Sequence, residues 1–200
     1  MICKLPREFY RQPTLTVAQE LIGKTFVSCR NGTKLAGRIV EVEAYIGEDD
    51  PASHARFGPT GRNAVMYGDA GHLYVYFIYG MYNMLNFVTE AKGSPAAVLI
   101  RAVEPIEGIE QMQENRGVSG LHRLCSGPGK LCQAFDIQLT DTGKSLMGHE
   151  YFVLDNGGEQ PKIAQCARIG ISQGHDLLWR FYDSESKFVS PSRRIDARSN

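Results

Sequence analysis

Neither sign of charge is in excess in this 200-residue sequence, where 22 lysines and arginines balance 22 aspartates and glutamates. Net charge therefore points to no particular partner, and contact with a polyanion would need cations gathered on one surface. No apolar run is long enough to cross a bilayer, and the opening "MICKLPREFY" lacks the apolar core of a signal peptide. A soluble protein that is not secreted and has no membrane partner is the expectation. The five cysteines (3, 29, 125, 132 and 166) are odd in number and scattered, which argues against a disulfide framework. They form no C-x-x-C pair, and the five histidines show no H-x-x-x-H spacing, so no metal site is expected.

With 42% hydrophobic residues, the chain suits one compact domain over residues 1–200, with a partly loose polar tail from about 183. "TLTVAQELIGK" reads as a short helix, with Thr16 and Gln19 at capping-box spacing and Gly23 as a left-handed stop. Asn31-Gly32 between "TFVSC" and "KLAGRIVEVEAY" signals a β-hairpin. Residues 46–63 read as a long loop, and a second hairpin, "HLYVYFIYGMYNMLNFVT", turns near Tyr79-Gly80. "AAVLIRAV" reads as a further strand. "PIEGIEQMQENRG" has Ile106, Ile109 and Met112 at helical spacing, and another helix runs through "KLCQAF" after "CSGPG". "YFVLD", "AQCARIGIS" and "LLWRFYD" are strand-like. Strands separated by turn signals predict mostly antiparallel pairing. The expected fold is thus α+β, a curved and mostly antiparallel sheet with flanking helices and a protruding tyrosine-bearing hairpin.

Two features suggest chemistry. On a strand, Glu41, Glu43 and Tyr45 share a face, two residues being roughly 6.6 to 6.8 Å apart along the chain. That overlaps the roughly 6.5 to 9.5 Å between the carboxylates of inverting sugar hydrolases. Acid and base, however, should face each other across a cleft, so a charged strand edge explains the pair equally well. The segment "YVYFIYGMY" holds four of the nine tyrosines: 74, 76, 79 and 82. These are either strand-favouring aromatics or a surface on which flat heterocycles stack. Tyr79 at the turn would protrude as a wedge able to enter a base stack, and Asn86 adds an amide beside the aromatic wall. Loop residue His54 suits a surface role as well as a catalytic one. Arg101, in an apolar run, requires an acidic partner, for which Glu43 is a candidate. Arg56, Arg62 and Lys130 are possible phosphate contacts. "SGPGK" lacks the spacing of a phosphate-binding P-loop.

The blocks "GRIVEVEAYIGEDDPASH", "HLYVYFIYGMYNMLNF", "VLIRAVEP" and "LCSGPGKLCQAF" together resemble the alkyladenine, or 3-methyladenine, DNA glycosylase family. The resemblance extends from "LPREFY" to "RFYD". It implies hydrolysis of the bond between a damaged purine and its sugar in duplex DNA, after base flipping, with no cofactor. By motif, Glu43 matches the general base and Arg101 the arginine that helps hold the attacking water. Tyr45 and Tyr76 match the rings that sandwich the flipped base, and His54 the residue that closes the pocket. Asn86 matches the pocket amide and Tyr79 the intercalating wedge. Met81 and Tyr82, beside it, join the possible groove or backbone contacts.

The resemblance assigns Glu41 no chemistry and leaves it solvated or structural, so that Glu41→Gln would retain most activity while Glu43→Gln abolishes it. No lysine adjoins Glu43, which favours a monofunctional enzyme without strand cleavage. Its partner would be double-stranded DNA containing damaged purines, and the protein a monomer, cytoplasmic at the nucleoid in a bacterium or nuclear in a eukaryote. A non-catalytic module that binds damaged DNA is the alternative.

Overall fold

A computed structural model describes residues 2–158 and 160–191. Two backbone signals decide the first half of the sheet. At Asn31 and Gly32 φ is +50° and +77°, the left-handed pair required by a two-residue hairpin loop, and Arg30 pairs directly with Thr33. Strands β2 (Thr25–Arg30) and β3 (Thr33–Ile46) result. Tyr79 and Gly80, at φ +55° and +68°, turn β4 (Leu73–Ile78) into β5 (Tyr82–Val88).

The remaining described strands are β1 (Cys3–Lys4), β6 (Ala96–Glu107), β7 (Tyr151–Asp155), β8 (Ile163–Cys166) and β9 (Arg180–Asp183). All nine join one sheet with antiparallel pairing, seven of them in the order β1-β7-β2-β3-β6-β5-β4. β3 is the long central strand. Its first half pairs with β2, and at Glu41–Glu43 the same edge is taken by β9, which in turn carries β8. The expected α+β fold with antiparallel strands is what the chain forms.

Four helices flank the sheet among the described residues: α1 (Arg7–Tyr10), α2 (Thr14–Leu21), α3 (Ile109–Arg116) and α4 (Pro128–Ala134). None is long and apolar enough to cross a membrane. α2 begins two residues before the expected cap. No side chain of its own caps it; Thr14 instead donates to the Glu90 carboxylate through its N–H (3.2 Å) and hydroxyl (2.5 Å). A tertiary carboxylate thus satisfies the helix start that a capping box was expected to serve. Ile106 is not helical, because β6 continues to Glu107 and leaves it half-exposed. Gly108 (φ +76°) makes the break, and a β-carbon there would lie 2.4 Å from Leu35 Cδ2.

Val17, Leu21, Phe26, Ile39, Val42, Ile100, Leu131 and Phe135 belong to the main core. Val40 and Ala102 belong instead to a separate cluster with Phe188. The register explains this: Ile39 pairs with Val103, Glu41 with Ala102 and Val42 with Ile100, which skips first Val40 and then Arg101. These paired bulges turn Glu41 and Arg101 away from the main core while Val42 and Ile100 stay in it. In the segment from 183, Asp183, Phe188 and Ser190 are buried, whereas Ser184, Glu185 and Lys187 are exposed. Arg193, Arg194 and Arg198 lie outside the described residues.

Candidate active site

Glu43 is fully buried on β3. Its Oε1 lies 3.2 Å from Arg101 Nη1 and accepts the Ile169 N–H at 2.7 Å, while its Oε2 accepts the Tyr45 hydroxyl at 2.8 Å. A carboxylate offers about four lone-pair sites, so three donors leave one acceptor position on Oε2. Glu43 is therefore the acidic partner that Arg101 needed, although not the only one.

Glu41 is equally buried, so of the two expectations for it, solvated or structural, the solvated strand edge is excluded. Its Oε1 accepts Arg101 Nε (3.0 Å), Arg180 Nε (2.6 Å) and Ser190 Oγ (2.8 Å), and its Oε2 accepts the Ser190 N–H (2.6 Å). β3 is central at this point, flanked by β6 and β9, so a charge here must be paired inside the protein. Burial alone would lower the Arg101 pKa, but Glu43 and Glu41 outweigh it and hold that pKa above its ordinary value.

Beside this cluster opens a cleft of about 220 Å³. Tyr45, His54, Tyr76 and Asn86, far apart in sequence, all line it, with Met66, Ala97 and Gly170 among the other wall residues. Glu43 and Arg101 do not line it; the carboxylate sits one hydrogen bond behind the wall, at the Tyr45 hydroxyl. Burial, aided by Glu43, raises the Tyr45 pKa well above the ordinary range, so Tyr45 stays a donor. The volume falls below the roughly 300 to 1,000 Å³ of pockets for drug-sized ligands and suits a single flat ring system.

His54 stands at the mouth, its ring edge-on to Tyr76 with centroids 4.4 Å apart and its Nδ1 2.8 Å from the Tyr74 hydroxyl. Burial and then the positive charge of Arg62 lower its pKa. Burial also pushes the Tyr74 hydroxyl up to about 12. Asn86 Nδ2 donates to the carbonyls of Tyr74 (3.0 Å) and Met84 (3.3 Å), which uses its donors and leaves its Oδ1 as an acceptor.

The other expected contacts are spread between the hairpin tip, the loop after β3 and α4. At the hairpin tip Tyr79 and Met81 are 70% and 59% exposed, and Tyr79 reaches over Gly170. Arg62 is over the Tyr76 ring (5.1 Å) and donates to the Phe77 carbonyl (3.1 Å), while Arg56 donates to Gln173 (2.7 Å). Tyr82 packs against Gly129 of α4, where a β-carbon would come within 2.6 Å of its ring. Lys130 is the next residue of that helix and is not part of the cleft. Among the described residues, no three His, Cys, Asp or Glu side chains gather as a metal site.

One wall has no counterpart in the sequence reading. "AQCARIGIS" was expected to be strand throughout, but β8 stops at Cys166. The following residues turn across the mouth, where Gly170, Ile171 and Ser172 line the cleft. Arg168 fixes this segment. It is buried and pairs in fork geometry with Asp50 (Nη1–Oδ2 2.6 Å, Nη2–Oδ1 2.8 Å), and it donates to the Ala44 carbonyl at 2.9 Å. Its guanidinium also lies over the rings of Tyr45 (4.7 Å) and Trp179 (5.1 Å). Asp50 in turn accepts the N–H groups of Ile46 (3.2 Å) and Ala52 (3.0 Å). One buried ion pair thus holds three walls: Tyr45, the loop to His54 and the 169–172 segment. The only available signal was a charged residue within an apolar run.

A buried carboxylate and arginine thus lie one hydrogen bond behind an aromatic cleft, and sequence comparison gives the family. The chain belongs to the methylpurine-DNA glycosylase family, whose model matches residues 8–187; such enzymes hydrolyse N-glycosyl bonds. A protein of Methanocella arvoryzae named "Putative 3-methyladenine DNA glycosylase" is 52% identical over 190 residues, covering 93% of this chain and 95% of its own. Proteins of the same name from Chlorobium phaeobacteroides and Chlorobaculum parvum are 49% and 47% identical over 189 and 193 residues. These two alignments cover 94% and 95% of this chain, and 95% and 92% of the relatives.

Proposed function

We propose that the protein is a monofunctional DNA glycosylase that flips alkylated or otherwise damaged purines out of duplex DNA and hydrolyses their N-glycosidic bond. The observation that carries this reading is the junction of cleft and carboxylate: Tyr45 lines the cleft with its ring and bonds Glu43 with its hydroxyl. A base stacked on that ring brings its sugar toward the carboxylate. A base inside a duplex is out of reach, and extruding it costs a few kcal/mol. Tyr79, exposed on the hairpin turn, offsets part of that cost by refilling the stack.

Within the cleft the base lies between Tyr45 on one side and Tyr76 with His54 on the other. Electron-rich ring faces favour cationic heterocycles. A purine alkylated at N3 or N7 carries such a charge and leaves as a neutral molecule, so a single base suffices. Glu43 takes the proton of a water through its remaining acceptor position and stabilises the positive charge developing on the sugar. Arg101 fixes the carboxylate and helps hold the water. The proposed enzyme is a monomer acting on double-stranded DNA that contains damaged purines.

The test is single-turnover excision from duplexes carrying one defined lesion, alkylated purine or hypoxanthine, with abasic sites revealed by alkali. Release by wild type and not by Glu43→Gln, with lesion binding kept by both, is the expected result. Lesion-selective binding without release by wild type would replace the enzyme with a damaged-DNA-binding module.

A further inference from the structure

We propose that Phe57 is a second aromatic contact with the duplex, set at the rim of the cleft apart from Tyr79. The inference rests on the reading that duplex DNA lies across the cleft mouth. Phe57 is 86% exposed, more than any other large apolar side chain among the described residues. A single exposed apolar residue is common and decides nothing by itself. Its support, its neighbours and its position do decide.

The support is a hydrogen-bonded turn. Buried Asn63 donates through Nδ2 to the carbonyls of His54 (2.8 Å) and Gly58 (3.1 Å), and its Oδ1 accepts the Thr60 N–H (2.6 Å). The Gly58 N–H closes a turn onto the Ala55 carbonyl (2.9 Å), with Gly58 at φ +80°, where a side chain would be strained. Ala55, two residues before Phe57, is fully buried against the cluster of Met66 and Tyr74. The turn thus anchors its inner side in the cleft wall and holds an aromatic ring out in solvent.

The neighbours suit a polyanion. Residues 53–63 include Arg56 and Arg62, both exposed, and no acidic residue. The Arg56 guanidinium is 5.1 Å from the Phe57 ring centroid. Position completes the case. Arg56 bonds Gln173 at one end of the 170–173 segment, and Tyr79 reaches over Gly170 at the other. Phe57 and Tyr79 therefore flank the strip of chain that edges the cleft. An apolar ring next to arginines matches the sugar and base edges of a groove beside its phosphates. In this arrangement Tyr79 fills the vacated stack, and Phe57 packs on a neighbouring nucleotide of the distorted duplex.

The experiment measures equilibrium binding of a lesion duplex across a salt series, in the Glu43→Gln background so that the substrate persists. Phe57→Ala should weaken binding about ten-fold, the scale of one lost aromatic–nucleotide contact. The slope against salt should stay as in the parent, because no charge is removed. Phe57→Tyr should restore affinity, and Arg56→Ala should instead lower the salt slope by about one. Duplex affinity of Phe57→Ala equal to the parent's at every salt concentration overturns the inference. Failure of the parent protein itself to prefer lesion duplex would overturn the underlying DNA reading, and the two failures are distinguishable.

Discussion

Arg101 donates through Nε to Glu41 at 3.0 Å, and its Nη1 lies 3.2 Å from Glu43. One guanidinium thus joins two buried carboxylates with different surroundings. Glu41 is enclosed by Arg101, Arg180 and Ser190, whereas Glu43 meets Tyr45 of the cleft wall. Glu43→Gln should leave a folded protein whose excision rate falls by about 10²–10⁴, the usual contribution of a general base. Glu41→Gln leaves two buried arginines short of charge and should cost about 3–5 kcal/mol of stability. Its excision rate should fall as well, in place of the largely retained activity that the family resemblance implied, because Arg101 loses its anchor. Urea unfolding beside single-turnover excision separates these outcomes. Wild-type stability in Glu41→Gln would contradict its role as the hub.

Tyr45 serves both cleft and carboxylate, and substitution separates the roles. Tyr45→Phe keeps the ring and removes the 2.8 Å hydrogen bond to Glu43. A hydrogen bond to a charged group contributes about 1.5–3 kcal/mol. The excision rate should fall by roughly ten-fold or more, with lesion binding within about two-fold of wild type. Tyr45→Ala should weaken binding as well. Titration of a lesion duplex against each variant, followed by single-turnover rates, checks both.

The Arg168–Asp50 pair should behave as structural support for the cleft. Arg168→Gln strands a fully buried carboxylate and should cost about 3–5 kcal/mol. Asp50→Asn should cost a similar amount by leaving the guanidinium unpaired. Both should also weaken lesion binding, since Tyr45, the loop to His54 and the 169–172 segment lose a common anchor. Denaturant unfolding and duplex binding in the same samples test this, and retention of wild-type values in both variants would exclude it.

The lowered His54 pKa has a checkable cause. Arg62 contributes a positive charge that disfavours imidazolium, in addition to burial. Arg62→Ala should raise the His54 pKa toward its ordinary value of about 6.5 in an NMR titration. The linkage has a definite sign. A depressed histidine pKa means the unfolded chain binds more protons between the two pKa values, so stability falls as pH drops through that window. The fall should be smaller in Arg62→Ala. An unchanged or lower His54 pKa in the variant would rule Arg62 out as a cause.

Local signals in the chain specify much of this protein. Asn31-Gly32 dictates one hairpin because few other residue pairs accept consecutive positive φ, and Gly80 marks the other, where Tyr79 is held at an unfavoured φ of +55°. Turn residues between short apolar runs lead to antiparallel pairing, and the motif positions 43, 45, 54, 76, 86 and 101 are recognisable in order. What the sequence could not determine was which charges are inside. Alternation places Glu41 and Glu43 on one strand face, but only β9, β6 and the chain near Ser190 enclose that face. Likewise "RIGIS" has the composition of a strand, and it departs from the sheet to edge the cleft, held by Asp50 from 118 residues away. Backbone preference is a property of neighbouring residues, whereas burial and ion pairing depend on groups distant in the chain that only folding brings together.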